Sequence, residues 1–103
     1  MPIIGNFTRE GTRFTGIIRT LAFTAPVAID PVTTKRGEKS PDYRVSVQSS
    51  GPGEIGAAWK RNREGNEFLS VRIDDPFLPA PLDCRLVKNR ADEGYSLIWE
   101  RKD

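Results

Sequence analysis

Asp74 and Asp75 are adjacent carboxylates, and paired carboxylates can hold Mg²⁺ or divide the roles of acid and base. Successive residues of a strand point to opposite faces, and Pro76 follows at once. A strand-ending turn in which Asp75 accepts backbone N–H bonds is the simpler account of the pair. Cys84 is the single cysteine and alternates with Leu82 and Leu86. A buried structural thiol fits that setting better than a nucleophile, because the chain has no histidine to serve as its base. Arg85 is next to it in sequence but belongs to the other strand face. Serines and threonines are plentiful, yet a hydroxyl nucleophile also needs a base. There is no glycine-rich phosphate loop of the usual spacing, and no Cys/His set for zinc. The expectation is a non-enzyme with no catalytic residues, no cofactor and no metal.

The basic residues are more suggestive. Lys60, Arg61, Arg63 and Arg72 fall on one expected hairpin, and Arg44 and Arg19 are outward candidates on other strands. Arg44, Lys60, Arg61, Arg63 and Arg72 are therefore the candidate contacts for nucleic acid or a protein partner. A curved sheet carrying them beside exposed aromatics could track a single strand through phosphate contacts and base stacking. Two features weigh against that reading. Trp59 and Phe68 flank the turn and could simply close the core, and Glu64 and Glu67 dilute the charge. Solvated arginines on exposed strand faces are the bland alternative. The net charge of +2, split as +3 over residues 1–52 and −1 over the rest, permits a polyanion without requiring one.

These side chains must be positioned by strands. Short runs of Ile, Val, Thr, Phe, Tyr and Trp alternate with Gly, Pro, Asn and Asp turns, and no helical spacing is sustained. Residues 3–9 and 14–21 read as an N-terminal hairpin around Glu10-Gly11-Thr12, with Gly16 marking a bulge or a close approach. Residues 23–29 read as an irregular extended segment, which Pro26 places at an edge. Residues 30–42 read as a mobile loop. Residues 43–48, 54–61, 68–74, 82–88 and 95–101 read as further strands. On them Tyr43, Val45 and Val47 share a face, Ile55, Ala57 and Trp59 another, and Tyr95, Leu97 and Trp99 a third. Gly56 and Ala58, opposite Trp59, let something pack closely or leave a shallow groove. Tyr95 and Trp99 share a face with Leu97, which favours burial. The expected fold is mainly β: a small single-domain twisted antiparallel β-barrel or β-sandwich of roughly seven or eight short strands over residues 1–103.

The chain has 103 residues, enough for one core, with 37% hydrophobic and 29% charged residues interleaved. One cysteine rules out an internal disulfide, and no apolar run approaches a membrane span or a leader. A cytoplasmic, soluble protein without membrane contact is expected.

In order along the chain stand Ile4-Gly5, Phe7, Gly16, Ile18, Thr20-Leu21 and Pro41-Asp42-Tyr43-Arg44-Val45. Gly56-Ala57-Ala58-Trp59-Lys60, residues 68–76, Ala80-Pro81-Leu82 and Tyr95-Ser96-Leu97-Ile98-Trp99 follow. With these motifs the chain resembles domain-of-unknown-function family 736 over nearly its whole length. The turn at 49–53 is longer than the family pattern, and Cys84-Arg85 departs from the small or polar residues expected there. The resemblance implies a small bacterial protein of conjugative plasmids or integrated elements, and it assigns no functional residue. The combined expectation is an accessory protein that binds a macromolecule, either single-stranded nucleic acid or another protein of a mobile element. Pairing or self-association through an exposed strand edge is the alternative, and a small metal-binding enzyme at Asp74 and Asp75 ranks below both. The sequence does not set the oligomeric state.

Overall fold

The computed structural model describes residues 2–21, 23–33, 37–48, 53–76 and 78–100. Eight strands carry the fold: β1 (Ile3–Glu10), β2 (Arg13–Arg19), β3 (Thr24–Pro31), β4 (Tyr43–Val47), β5 (Glu54–Arg63), β6 (Asn66–Ile73), β7 (Leu82–Lys88) and β8 (Tyr95–Trp99). Each pairs antiparallel with the next, and β8 returns to β1, so the sheet is a closed up-and-down barrel. Of the two expected architectures, the barrel is the one adopted. No helix of the described residues is long and apolar enough to cross a membrane.

Alternation puts one face of every strand inside. Ile18, Val27, Ile29, Val45, Val71, Leu86 and Leu97 are fully buried and fill the interior. Each contributes about 1.5–3 kcal/mol by leaving water. The pairing explains why β5 presents small residues to this core. Gly56 lies between Val45 and Ile73, and Ala58 between Tyr43 and Val71. Large neighbours on both sides leave β5 no room for more. A β-carbon on Gly56 would lie 2.0 Å from the Arg72 carbonyl oxygen, and one on Gly16 would lie 2.1 Å from that of Asn6. At both points the partner strand's backbone fills the side-chain space, a close approach that only glycine allows.

Three expectations change. Residues 24–31 form a regular strand, β3, paired on both sides. Pro26 is therefore not on an edge strand. Its carbonyl accepts from the Gln48 N–H at 2.9 Å, just past the end of β4. The missing donor thus falls where the β3–β4 ladder stops. The expected loop at 30–42 begins later, because β3 runs to Pro31. Val32 N–H donates to the Asp42 carbonyl and closes its base, while residues 34–36 lie outside the described residues. Closure also gives every strand a neighbour on both sides, so among the described residues the edge expected for pairing is open where a strand runs past its neighbour, as β5 and β6 run past β4 and β7 toward their turn.

Candidate nucleic-acid interface

The outer surface of β4 to β7 carries most of the candidate residues in cross-strand rows. Arg44, Ala57, Arg72 and Asp83 form one row, and Trp59, Ser70 and Arg85 the next. Arg61 stands opposite Phe68, and Arg63 opposite Asn66, toward the β5–β6 turn. That turn, Glu64-Gly65, has positive φ at both residues (52° and 85°), the geometry that matches the strand twist. It lets the two strands project as a long ribbon.

Trp59 and Phe68 stand on this outer face and do not close the core. Their ladder partners decide it: Trp59 opposes Ser70, and Leu69, next to Phe68, points inward and is buried. The Trp59 indole N–H donates to the Lys39 carbonyl at 3.0 Å. The Lys60 N–H donates to Asp42 Oδ2 at 2.8 Å, and the Asp42 N–H to the Ala58 carbonyl at 2.9 Å. The end of the β3–β4 loop is thereby fastened along β5. Among the shallow grooves on this face, one of about 350 Å³ is lined by Ala57, Trp59 and Arg72 with Glu54 and Asp74. Another, of about 460 Å³, is lined by Arg61, Arg63, Phe68, Ser70 and Arg85 with Glu100.

The charges on the face are of two kinds. Arg44 Nε lies 2.6 Å from Glu54 Oε1, and Arg85 Nε lies 2.5 Å from Glu100 Oε1. The Arg85 guanidinium also covers the Phe68 ring at 5.9 Å. Arg61, Arg63 and Arg72 have no carboxylate at ion-pairing distance among the described residues. The structure thus brings Arg61, Arg63 and Arg72 onto one face. It leaves Arg44 there but paired. Lys60 turns to the other side of β5, where its ammonium lies 6.0 Å from the Tyr43 ring centre.

The model of the family described as protein of unknown function (DUF736) matches residues 3–102. The chain belongs to this family. No curated protein and no solved structure matches it. The DUF736 barrel places Asp74 and Asp75 just after β6. The Asp74 N–H donates to the Ile55 carbonyl at 2.7 Å, and the Asp75 carbonyl accepts from the Leu78 N–H at 2.9 Å, closing a turn. Cys84 points into the core at 2% exposure. Burial, with Asp83 and Glu100 adding to it, pushes its thiol up to about 12.

Missing from the sequence reading are Phe14, Arg9 and Lys88, which meet Lys60, Tyr43 and Tyr95 at one end of the barrel. The signal was available in the strand parity. Counting by two from a core residue toward that end leads from Phe7 to Arg9, from Ala58 to Lys60, from Leu69 to Glu67 and from Leu86 to Lys88.

Proposed function

We propose that this DUF736 protein is a non-enzymatic accessory protein that binds single-stranded nucleic acid on the outer face of β5–β7. The observation that carries the reading is the outward placement of Trp59 and Phe68 among Arg61, Arg63 and Arg72, which have no carboxylate at ion-pairing distance among the described residues. Base–aromatic stacking contributes about 1–3 kcal/mol per base and tolerates any sequence, while arginines on phosphates release counterions. Ala57 and Ser70 keep the floor of the face low beside the rings. The setting we propose is the bacterial cytoplasm, in the service of a mobile element.

The test is a fluorescence anisotropy titration with a labelled single-stranded oligonucleotide. Binding at about 0.01 M salt, where the Debye length is ~30 Å, should weaken as salt rises. With three phosphate contacts the log–log slope should be near −2, from ~0.7 per phosphate. Arg61→Ala combined with Arg72→Ala should flatten that slope. No binding at low salt sinks the proposal.

A further inference from the structure

We propose that the open end of the barrel beside the β5–β6 turn is a binding site for a nucleoside phosphate. The cavity there has a volume of about 550 Å³, within the range of small-molecule sites, and barrel mouths are a common place for them. Its floor is aromatic. Phe14 packs edge-on against Tyr95 at 5.0 Å and against Tyr43 at 6.0 Å. A flat ring entering the mouth meets the rings of Phe14, Tyr43 and Tyr95, which line the cavity with Phe68.

The rim supplies the charge. Arg9, Lys60 and Lys88 each continue an inward-facing row of side chains past the end of the core, and all three line the cavity with Arg61. The Arg9 guanidinium lies 5.8 Å from the Phe14 ring centre and donates through Nε to the Gly11 carbonyl at 2.9 Å. Neither Arg9 nor Lys60 has a carboxylate at ion-pairing distance among the described residues. The Lys88 ammonium is 3.7 Å from Glu93, whose side chain is 97% exposed, a loose surface pair. Glu67 is the one acidic residue lining the cavity. Cations over an aromatic floor, two of them without a carboxylate at ion-pairing distance among the described residues, fit a dianion attached to a flat ring better than either alone. Asn62 and Glu67, on the ribbon side, offer a donor and acceptors to the polar edge of a base.

Lys88 and Tyr95, which line the mouth, are the two ends of a pre-formed turn. In the β7–β8 turn, Asp92 Oδ1 accepts from Asn89 Nδ2 at 3.0 Å and from the Gly94 N–H at 2.7 Å. Buried Ser96 donates to Asn89 Oδ1 at 2.5 Å and ties the turn to β8. The same bonds, that from Asn89 first, hold the Asp92 carboxyl below its usual range.

The site stands on its own observations and does not need a strand bound at the outer face. Because Arg61 and Phe68 line both surfaces, the ligand has two sources, a free nucleotide or the 5′-phosphorylated end of a strand. The test follows the aromatic signals of Tyr43 and Tyr95 and the methyl signals of Leu86 by NMR. The probes are adenosine 5′-monophosphate, adenosine, inorganic phosphate, and one oligonucleotide with either a 5′-phosphate or a 5′-hydroxyl. The monophosphate or the 5′-phosphorylated strand should move these signals at least about tenfold more tightly than adenosine or phosphate alone. Whichever of the two acts names the source. Arg9→Ser and Lys60→Ser should each weaken that binding by about tenfold, with core methyl signals unchanged as the check on folding. Arg72→Ala should leave it intact. Failure of the 5′-hydroxyl strand to move Trp59, while the monophosphate moves Tyr43 and Tyr95, would count against the outer face and leave the mouth standing. The mouth proposal is overturned if neither phosphorylated probe moves these signals at millimolar concentration. It is equally overturned if phosphate alone binds as tightly, or if both serine variants bind as the unmodified protein does.

Discussion

The Trp59 indole Nε1 donates to the Lys39 main-chain oxygen at 3.0 Å, so a ring on the outer face of β5 is anchored to the loop that follows β3. The bond orients the indole without sinking it into the core. The side chain therefore has two separable jobs, a hydrogen bond that holds the loop and a flat surface turned outward.

Phenylalanine keeps the flat surface and loses the donor. Trp59→Phe should lower stability by about 1 kcal/mol, read by urea unfolding, and leave oligonucleotide affinity within a few-fold. Trp59→Ala should weaken the oligonucleotide by about 1–3 kcal/mol in an anisotropy titration. Equal affinity for Trp59→Ala and the unmodified protein would show that no base stacks there.

Gly16→Ala and Gly56→Ala should be among the most destabilising single methyl additions in the molecule. Each places a carbon about 2 Å from a main-chain oxygen of the adjacent strand, and only a shift of the ladder can relieve it. The expected loss is at or above the upper end of the ~1–3 kcal/mol usual for overpacking. Gly65→Ala meets nothing within 4 Å and carries only the cost of its φ of +85°, about 1–2 kcal/mol. Thermal unfolding of the three variants side by side checks the order.

Cys84 makes stability depend on alkaline pH. Its thiol ionises near 9.0 in the unfolded chain and near 12 in the folded one. Below the unfolded value both states keep the proton and stability is unaffected. Between the two values the unfolded state has released a proton that the folded state retains. Stability therefore falls as pH rises across that window, by at most about 1.4 kcal/mol per pH unit. Cys84→Ala should remove this component, seen as the difference between two urea-unfolding series from pH 8 to 11. At pH 8 a thiol reagent should modify the folded protein slowly and the urea-unfolded protein at once.

Much of the barrel could be read from alternation. Along Tyr43, Val45 and Val47, and along Leu69, Val71 and Ile73, one face is large and apolar, and burial follows it for all but the half-buried Val47. The segment before Ile29 misled because Pro26 reads as a breaker. A proline at the end of a ladder costs no bond there, and the sequence does not show where the neighbouring strand stops. Of the five candidate contacts, Arg61, Arg63 and Arg72 were legible as outward residues of one hairpin. Lys60 was grouped with them by proximity, although strand parity sends it to the opposite face.

Local chemistry alone determined that the protein is built of short strands, that a polar turn containing Gly65 joins residues 54–61 to 68–74 as a hairpin, and that its lone cysteine cannot form an internal disulfide. Those properties depend on period-two alternation, on positive φ at a turn and on residue counts, all of which act over a few neighbours or none. The tertiary structure decided that the sheet closes, since the pairing of Phe7 with Tyr95 depends on the summed twist and stagger of eight strands. It also decided that Trp59 faces out, because Tyr43 and Val71 crowd the interior on either side of Ala58. Most of all, it brought Arg9, Lys60 and Lys88 from three strands around one aromatic floor. Only the circumference of a closed barrel places residues so far apart in sequence at a common mouth.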